Sequence, residues 1–297
     1  MNKDLLSQIQ SLYPTFSKGQ KNIARFIIDH YEKAAFMTAS KLGSIVGVSE
    51  STVVRFASEL GYEGYPELQK SLQELTRSKL TSVQRIEVST DRLGERDILE
   101  KVLNSDIEKI KKTIAELSRD DFNGAVNAIV NASKIYILGV RSASALANFL
   151  GLYFNYIFDH VVLINTTSGS EVFEQIMRIN ENDVVIGISF PRYSTRTVKA
   201  LRFASDRGAK VIAITDSEIS PIYRYATYKL IAKSDMASFV DSLVAPLSLI
   251  NALIVAVGIK CKDQVYNTFS ALERIWDEYG VYEKTDDENE SDDENKE

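Results

Sequence analysis

Apolar residues recur along this chain with two different textures, and the change between them falls near residue 120. Up to that point the spacing is helical, in steps of three and four. Leu5, Leu6, Ile9 and Leu12 predict a first helix, which Pro14 ends. Ser17 or Lys18 opens a second, with Ile23, Phe26, Ile27 and His30 on one stripe, where His30 reads as a packed or half-exposed histidine. From Ala39 to Gly61 the run ASKLGSIVGVSESTVVRFASELG predicts two short helices joined by a tight turn. Leu42, Ile45 and Val46 share a face of the first; Val53, Phe56, Ala57 and Leu60 follow the i, i+3, i+4, i+7 spacing in the second. Gly47 can take a positive φ at the turn, Gly43 lacks a Cβ where the helices approach, and Ser49 stands where an N-cap is wanted. Gly61 closes the pair, and Tyr65-Pro66 opens a fifth helix carrying Leu68, Leu72 and Leu75.

Residues 79–96 have no steady period and many charges, and read as a linker. Leu99, Leu103, Ile107, Ile110, Ile114 and Leu117 then predict a helix over 97–117 with a narrow apolar seam. The seam either pairs with its counterpart in a dimer or covers the second domain; covering is the preferred reading. Beyond residue 120, Phe122, Val126, Ile129 and Val130 mark another helix. Continuous apolar runs of strand length follow at 135–138, 161–164, 184–188 and 211–214, with a weaker one at 228–231. Helical patterns at 143–157, 170–179 and 195–207 separate the first four, and two more helices at 238–259 and 263–278 close the domain. Short apolar strands alternating with helices predict a parallel sheet covered on both faces. The expected fold is an all-α helix-turn-helix domain over 1–78, then an α/β domain over 97–282. The latter is a five-stranded parallel sheet flanked by helices, flavodoxin-like or Rossmann-like.

Composition narrows the class. Of 297 residues, 44% are hydrophobic and 26% charged, the balance of a globular protein. One cysteine, Cys261, excludes an intrachain disulfide and a cysteine-based zinc site, and no metal or cofactor is expected. The opening MNKDLLSQIQSLYP does not read as a signal peptide, and the apolar run 243–259 carries Pro246 and Asn251, so no membrane partner is expected and the compartment is read as cytoplasmic. The net charge of −6 is unevenly placed: residues 283–297 hold nine acids and two bases, so the rest of the chain carries +1. That tail reads as disordered and solvating.

Two regions carry candidate chemistry. On the second helix of the 39–61 pair, Glu50, Ser51, Thr52, Arg55 and Glu59 point outward. Short hydroxyls at Ser49, Ser51 and Thr52 near the helix start can bond phosphates, and Arg55 one turn on can reach a guanine edge, as a recognition helix requires. An ordinary helical hairpin with a solvated polar face is the alternative. In the α/β domain, the first strand ends in Gly139-Val140-Arg141-Ser142-Ala143-Ser144 and the third in Ser189-Phe190-Pro191-Arg192-Tyr193-Ser194-Thr195. Each loop precedes a helix and so offers hydroxyls, helix-start N–H groups and an Arg to an anion. Simple helix capping by Ser and Thr is the alternative there.

GVSESTVVRFASELGYEGYPELQ is similar to the most typical stretch of the RpiR/MurR family of bacterial transcription regulators, and residues 120–260 resemble the sugar isomerase (SIS) domain that follows it in that family. The resemblance covers nearly the whole chain. It implies a homodimer or homotetramer that binds a double-stranded DNA operator and takes a phosphorylated sugar as effector. The family's third-strand loop reads S-x-S-G-x-T; Ser189 matches its first Ser, Ser194 stands at the Thr, and Pro191 and Arg192 replace the second Ser and the Gly. Arg141 stands where many members carry Gly. The two Arg residues imply a ligand with more negative charge than a plain sugar monophosphate, or a differently oriented one. The rival expectation is a sugar-phosphate isomerase, which needs a base beside the carbonyl. The domain has one histidine, His160, placed before the second strand; the loop at Ser168 has Glu171 nearby, which leaves a carboxylate base open, as does a base from another subunit.

Overall fold

A computed structural model describes residues 5–79, 83, 85–86, 97–166, 168–234 and 240–282. The tail 283–297 and most of the 79–96 linker therefore lie outside the described residues. By internal contacts the chain divides into two units. One holds the described residues up to Glu116 with Phe190–Ser194 and the described part of 232–245; the other holds the remainder.

The first unit is helical. It runs α1 (Leu5–Leu12), a 3-10 turn (Tyr13–Thr15), α2 (Lys18–Ala34), α3 (Ala39–Val46), α4 (Glu50–Glu59), α5 (Tyr65–Lys79) and α6 (Ile98–Glu116). Ser17 and Gln20 close a reciprocal capping box at the start of α2. The apolar stripes of α1 to α5 meet in one core, in which Ile9, Ile23, Ile27, Leu42, Val53, Phe56, Leu68 and Leu72 are fully buried. Phe16 packs on Phe56 with ring centres 5.1 Å apart. The α3–α4 turn forms as expected: Gly47 has φ +74°, and a Cβ on Gly43 would sit 2.8 Å from the Val48 carbonyl oxygen. Ile45 departs from expectation and is 45% exposed. The close approach at Gly43 fixes the rotation of this eight-residue helix, so Ala39, Leu42 and Gly43 face the core and Ile45 points away. Tyr62 and Tyr65 are packing residues: their hydroxyls donate to Ser71 Oγ at 3.0 Å and to the Met37 carbonyl at 2.8 Å.

Helix α6 overturns the covering expectation. Its seam faces outward, with Leu99 75%, Leu103 54%, Ile107 48% and Ile114 59% exposed. Its buried face is polar. Lys109 Nζ donates to Ser105 Oγ at 2.9 Å and to Asp106 Oδ1 at 3.1 Å, and Ser242 Oγ donates to the same carboxylate oxygen at 2.6 Å. Thr113 Oγ1 accepts from the Lys233 backbone N–H at 2.9 Å. Nearby, Arg85 Nη1 lies 2.7 Å from Asp241 Oδ1, with the two side chains only 5% and 16% exposed. Burial pushes the Asp241 carboxyl up from its ordinary range, while Arg85, and to a smaller extent Arg192, oppose that shift.

The second unit is α/β. After α7 (Arg119–Val130), the strands β1 (Ile135–Gly139), β2 (Val161–Ile164), β3 (Val184–Ile188), β4 (Lys210–Thr215) and β5 (Tyr228–Ile231) form one sheet of order β2-β1-β3-β4-β5. Every described pairing is parallel, with Ile135 opposite both Val161 and Val184. Helices α8 (Ser142–Asn155), α9 (Gly169–Ile176) and α10 (Thr195–Asp206) connect β1 to β4, and α11 (Val244–Lys260) and α12 (Lys262–Glu278) follow the sheet. β1 and β3 are buried along their whole length, as their unbroken apolar runs require, whereas β2 at the edge is half-buried. Among the described residues no single helix is long and apolar enough to cross a membrane; α11 and α12 together reach that length but bend by 98°.

Candidate DNA-reading helix and ligand site

The outward face of α4 holds Glu50, Ser51, Val54, Arg55, Ser58 and Glu59, all exposed, while Thr52 is half-buried. Ser49 occupies the N-cap position in extended backbone, but its side chain makes no capping bond to the helix. Its Oγ lies 2.9 Å from both Ser51 Oγ and Thr52 Oγ1, so the three hydroxyls form a cluster at the helix start. Arg55 Nε donates to the Ser51 carbonyl at 3.3 Å. That bond steers the guanidinium along the helix toward its start and leaves the two terminal nitrogens for an outside acceptor. The opposite face, Val53, Phe56 and Ala57, is fully buried. The helix is thus held by its apolar side and presents hydroxyls and one guanidinium on the other, beside the start of α2, where Gly19 abuts Val48 and Thr52.

In the second unit, strand order reverses at β1 and β3, which lie side by side with β2 on one flank and β4 on the other. Ligands in such sheets bind at this switch point, outside the carboxyl ends of the strands. β1 delivers Arg141, Ser142 and Ser144 there; β3 delivers Ser189, with Thr195 at the start of α10. Ser142 is exposed, and Ser144 Oγ donates back to the Arg141 carbonyl at 2.5 Å. Ser189 is buried, its N–H donates to the Ile214 carbonyl, and its own carbonyl accepts from Thr215 Oγ1 at 2.8 Å. The loop 190–194 groups with the first unit: Phe190 and Pro191 are buried, Tyr193 and Ser194 half-buried, and Arg192 is exposed.

Arg141 has φ +60° and ψ −125°. For a residue with a Cβ this backbone costs about 1–3 kcal/mol and suits glycine. The site also contains residues that local patterns did not reveal. Arg196, in the first turn of α10, donates from Nη1 to the Thr166 carbonyl at 3.2 Å and so brings the loop after β2 to the same edge. There Thr166 Oγ1 donates to a Glu171 carboxylate oxygen, and Ser168 Oγ lies 2.9 Å from Ser170 Oγ. A spacing of thirty residues between Thr166 and Arg196 leaves no periodic trace; only the strand order, placing β2 beside β1, could have pointed to it. His160 precedes β2, at the end of the sheet away from these loops. No group of three or more metal-ligating side chains occurs among the described residues.

Comparison with known proteins matches both units. The helix-turn-helix domain of the rpiR family matches residues 3–79, and the SIS domain matches residues 128–256. An HTH-type transcriptional regulator of Caldanaerobacter subterraneus is 25% identical over 264 residues, covering 86% of this chain and 91% of that one. The solved sugar isomerase domain of an RpiR transcription factor from Sphaerobacter thermophilus shares 26% identity, with a TM-score of 0.58 over 60% of this chain and 99% of that chain. The Vibrio vulnificus NanR protein, complexed with ManNAc-6P, has the same fold at 21% identity and a TM-score of 0.57, over 91% of this chain and 98% of that one. An rpiR-type helix-turn-helix at one end and a SIS domain behind it, with a relative that spans both, make this chain a member of the rpiR family of transcriptional regulators.

Proposed function

We propose that the protein binds operator DNA through α4 and senses a phosphosugar at the carboxyl edge of β2, β1 and β3. The observation that carries the ligand reading is the convergence of three strand-end loops, rich in hydroxyls and carrying Arg141 and Arg196, at the switch point of the sheet. Phosphate oxygens accept from helix-start N–H groups and guanidinium, and sugar hydroxyls pair with the serines. On this reading Ser49, Ser51, Thr52 and Arg55 meet DNA, and Arg141, Ser142, Ser144, Ser189, Arg192, Ser194 and Thr195 meet the effector. The protein works where the DNA is, in the cytoplasm. The test is a thermal-shift screen of phosphosugars followed by operator binding with and without the best of them. A ligand at one hundred times its Kd should stabilise the fold by about 2.7 kcal/mol. A flat screen against a broad panel would remove the phosphosugar from the reading.

Catalysis is not part of the proposal. An isomerase needs a free base beside the substrate carbonyl. His160 stands at the far end of β2, and the Glu171 carboxylate is engaged by Thr166. Turnover of any common sugar phosphate by the purified chain would reverse this view.

Arg141 gives a signature that separates binding from folding. Arg141→Gly should relieve the positive-φ strain and raise the stability of the protein by about 1 kcal/mol, after the entropy cost of glycine is subtracted. The same change should weaken effector affinity by removing a charge. Denaturation and calorimetry on one sample read both. A variant that loses stability while keeping its affinity would make Arg141 structural.

We also propose a symmetric dimer or tetramer. The outward seam of α6, and α12, an amphipathic helix with no buried residue, leave apolar surface that a second copy would cover. Leu103→Asp combined with Ile114→Asp should shift the mass in light scattering to a smaller species if α6 pairs. An unchanged mass would leave α12 and the exposed Val255 and Ile259 of α11 as the interface.

A further inference from the structure

Val54 is the one aliphatic side chain on the outward face of α4. Counting along the helix, Ser51, Val54, Arg55 and Ser58 fall at i, i+3, i+4 and i+7, a single stripe, and all four are exposed. Val53, one residue back, is fully buried, while Val54 is 39% exposed. It keeps that 39% of its surface open to solvent on this polar face. A β-branched residue on an exposed helical surface is a poorer helix former than alanine and gains nothing from solvent. The neighbours on the stripe are hydrogen-bonding groups: the Ser51 hydroxyl sits in the cluster with Ser49, Ser58 Oγ donates to the Val54 carbonyl at 3.4 Å, and Arg55 lies alongside. In the major groove three of the four bases present only donors and acceptors on their edges. Thymine alone adds an apolar feature, its C5-methyl group.

The geometry points to Val54 as a specificity-determining residue that reads a thymine methyl beside the base contacted by Arg55. This rests on the proposal that α4 enters the major groove, and it adds to it a base identity that no hydrogen bond supplies. The Arg55 guanidinium extends toward the helix start and Val54 lies next to it on the stripe, so the two side chains address neighbouring steps of the same half-site. A valine isopropyl against the methyl removes both from water, whereas uracil or cytosine leaves the isopropyl facing a polar edge or a gap.

The test uses the full-length protein and a duplex obtained by in vitro selection with the wild type. Each thymine is replaced singly by deoxyuridine, which keeps every hydrogen bond and deletes only the methyl. The expected result is one thymine per half-site at which the replacement weakens wild-type binding about fourfold, the ratio that one buried methyl-sized group confers. Val54→Ser, which replaces the hydrocarbon with a hydroxyl, should bind the thymine and deoxyuridine duplexes with equal affinity, and Val54→Ala should lose part of the discrimination. Tight binding that is indifferent to every deoxyuridine replacement overturns the inference and leaves the DNA-reading role of α4 standing. So does a Val54→Ser protein that discriminates as strongly as the wild type. Failure to select any duplex at all overturns both. The deoxyuridine series needs no variant, so it decides the matter even if Val54→Ser proves unstable.

Discussion

Arg55→Ala should abolish specific operator binding and leave the helical unit folded. The side chain is exposed, and its described bond runs from Nε to a backbone carbonyl of its own helix, so nothing in the core depends on it. Its free terminal nitrogens match the O6 and N7 acceptors of guanine, and loss of one bidentate contact costs about 1–3 kcal/mol. In a symmetric dimer that loss occurs in both half-sites, about 2–6 kcal/mol in all, enough to merge specific with non-specific binding. A competition assay against unrelated duplex measures it. Retained discrimination in Arg55→Ala, with an unchanged melting temperature, would move the readout elsewhere on α4. Ser51→Ala should act in the same direction more weakly, since a neutral hydroxyl bond contributes about 0.5–1.5 kcal/mol.

The second large effect lies in the loop after β3. Arg192→Ala should abolish the response to effector while DNA binding without effector persists. Ser189→Ala should do so less completely. A charge-assisted bond to an anion contributes about 1.5–3 kcal/mol, which spans most of the 1–3 kcal/mol over which such couplings operate. A ligand changes DNA affinity only by favouring one arrangement of the protein over another, so losing this bond removes the bias at its source. The structure also names the competing explanation. Arg192 acts on the half-buried Asp241 carboxylate, and on that account it would only hold the loop. Calorimetry separates the two: a ligand-binding Arg192 loses affinity by ten-fold or more on truncation, whereas a loop-holding one keeps its affinity and loses only coupling. Wild-type ligand affinity in Arg192→Ala sinks the assignment.

The α3–α4 pair was legible in the sequence because every signal there is local. The Gly47 turn, the Ser49 start and the apolar stripe of α4 all act within one or two helical turns. The three inner strands, β1, β3 and β4, were legible for a related reason, since burial on both faces writes an unbroken apolar run. Strand ends shifted by one residue at most. The α6 seam shows the limit. A heptad-like stripe has the same appearance whether a sheet or a second copy covers it, and only the polar anchoring of Lys109 and Thr113 shows which face the chain itself uses. Arg196 and Thr166 were invisible because strand order, which sequence does not state, brings them together. Arg141 could be named as a departure from the family's glycine, but not its left-handed backbone. Ile45 was misplaced because a single close contact at Gly43, and not periodicity, sets the rotation of a two-turn helix.

The pair between Arg85 and Asp241 constrains how this sequence can drift. The two are 156 positions apart, and their opposite charges compensate one another in a buried setting. Removing either one leaves the other's buried charge less well compensated, and breaking a buried pair costs up to about 3–5 kcal/mol, against a typical total of about 5–15 kcal/mol for a whole fold. Replacing both with apolar residues of similar size can be nearly neutral. A lineage therefore crosses from the charged to the apolar version only through an unfit intermediate, or by two changes at once. Arg85 and Asp241 should accordingly behave as one inherited character, kept together or lost together, with the double replacement better tolerated than either single one.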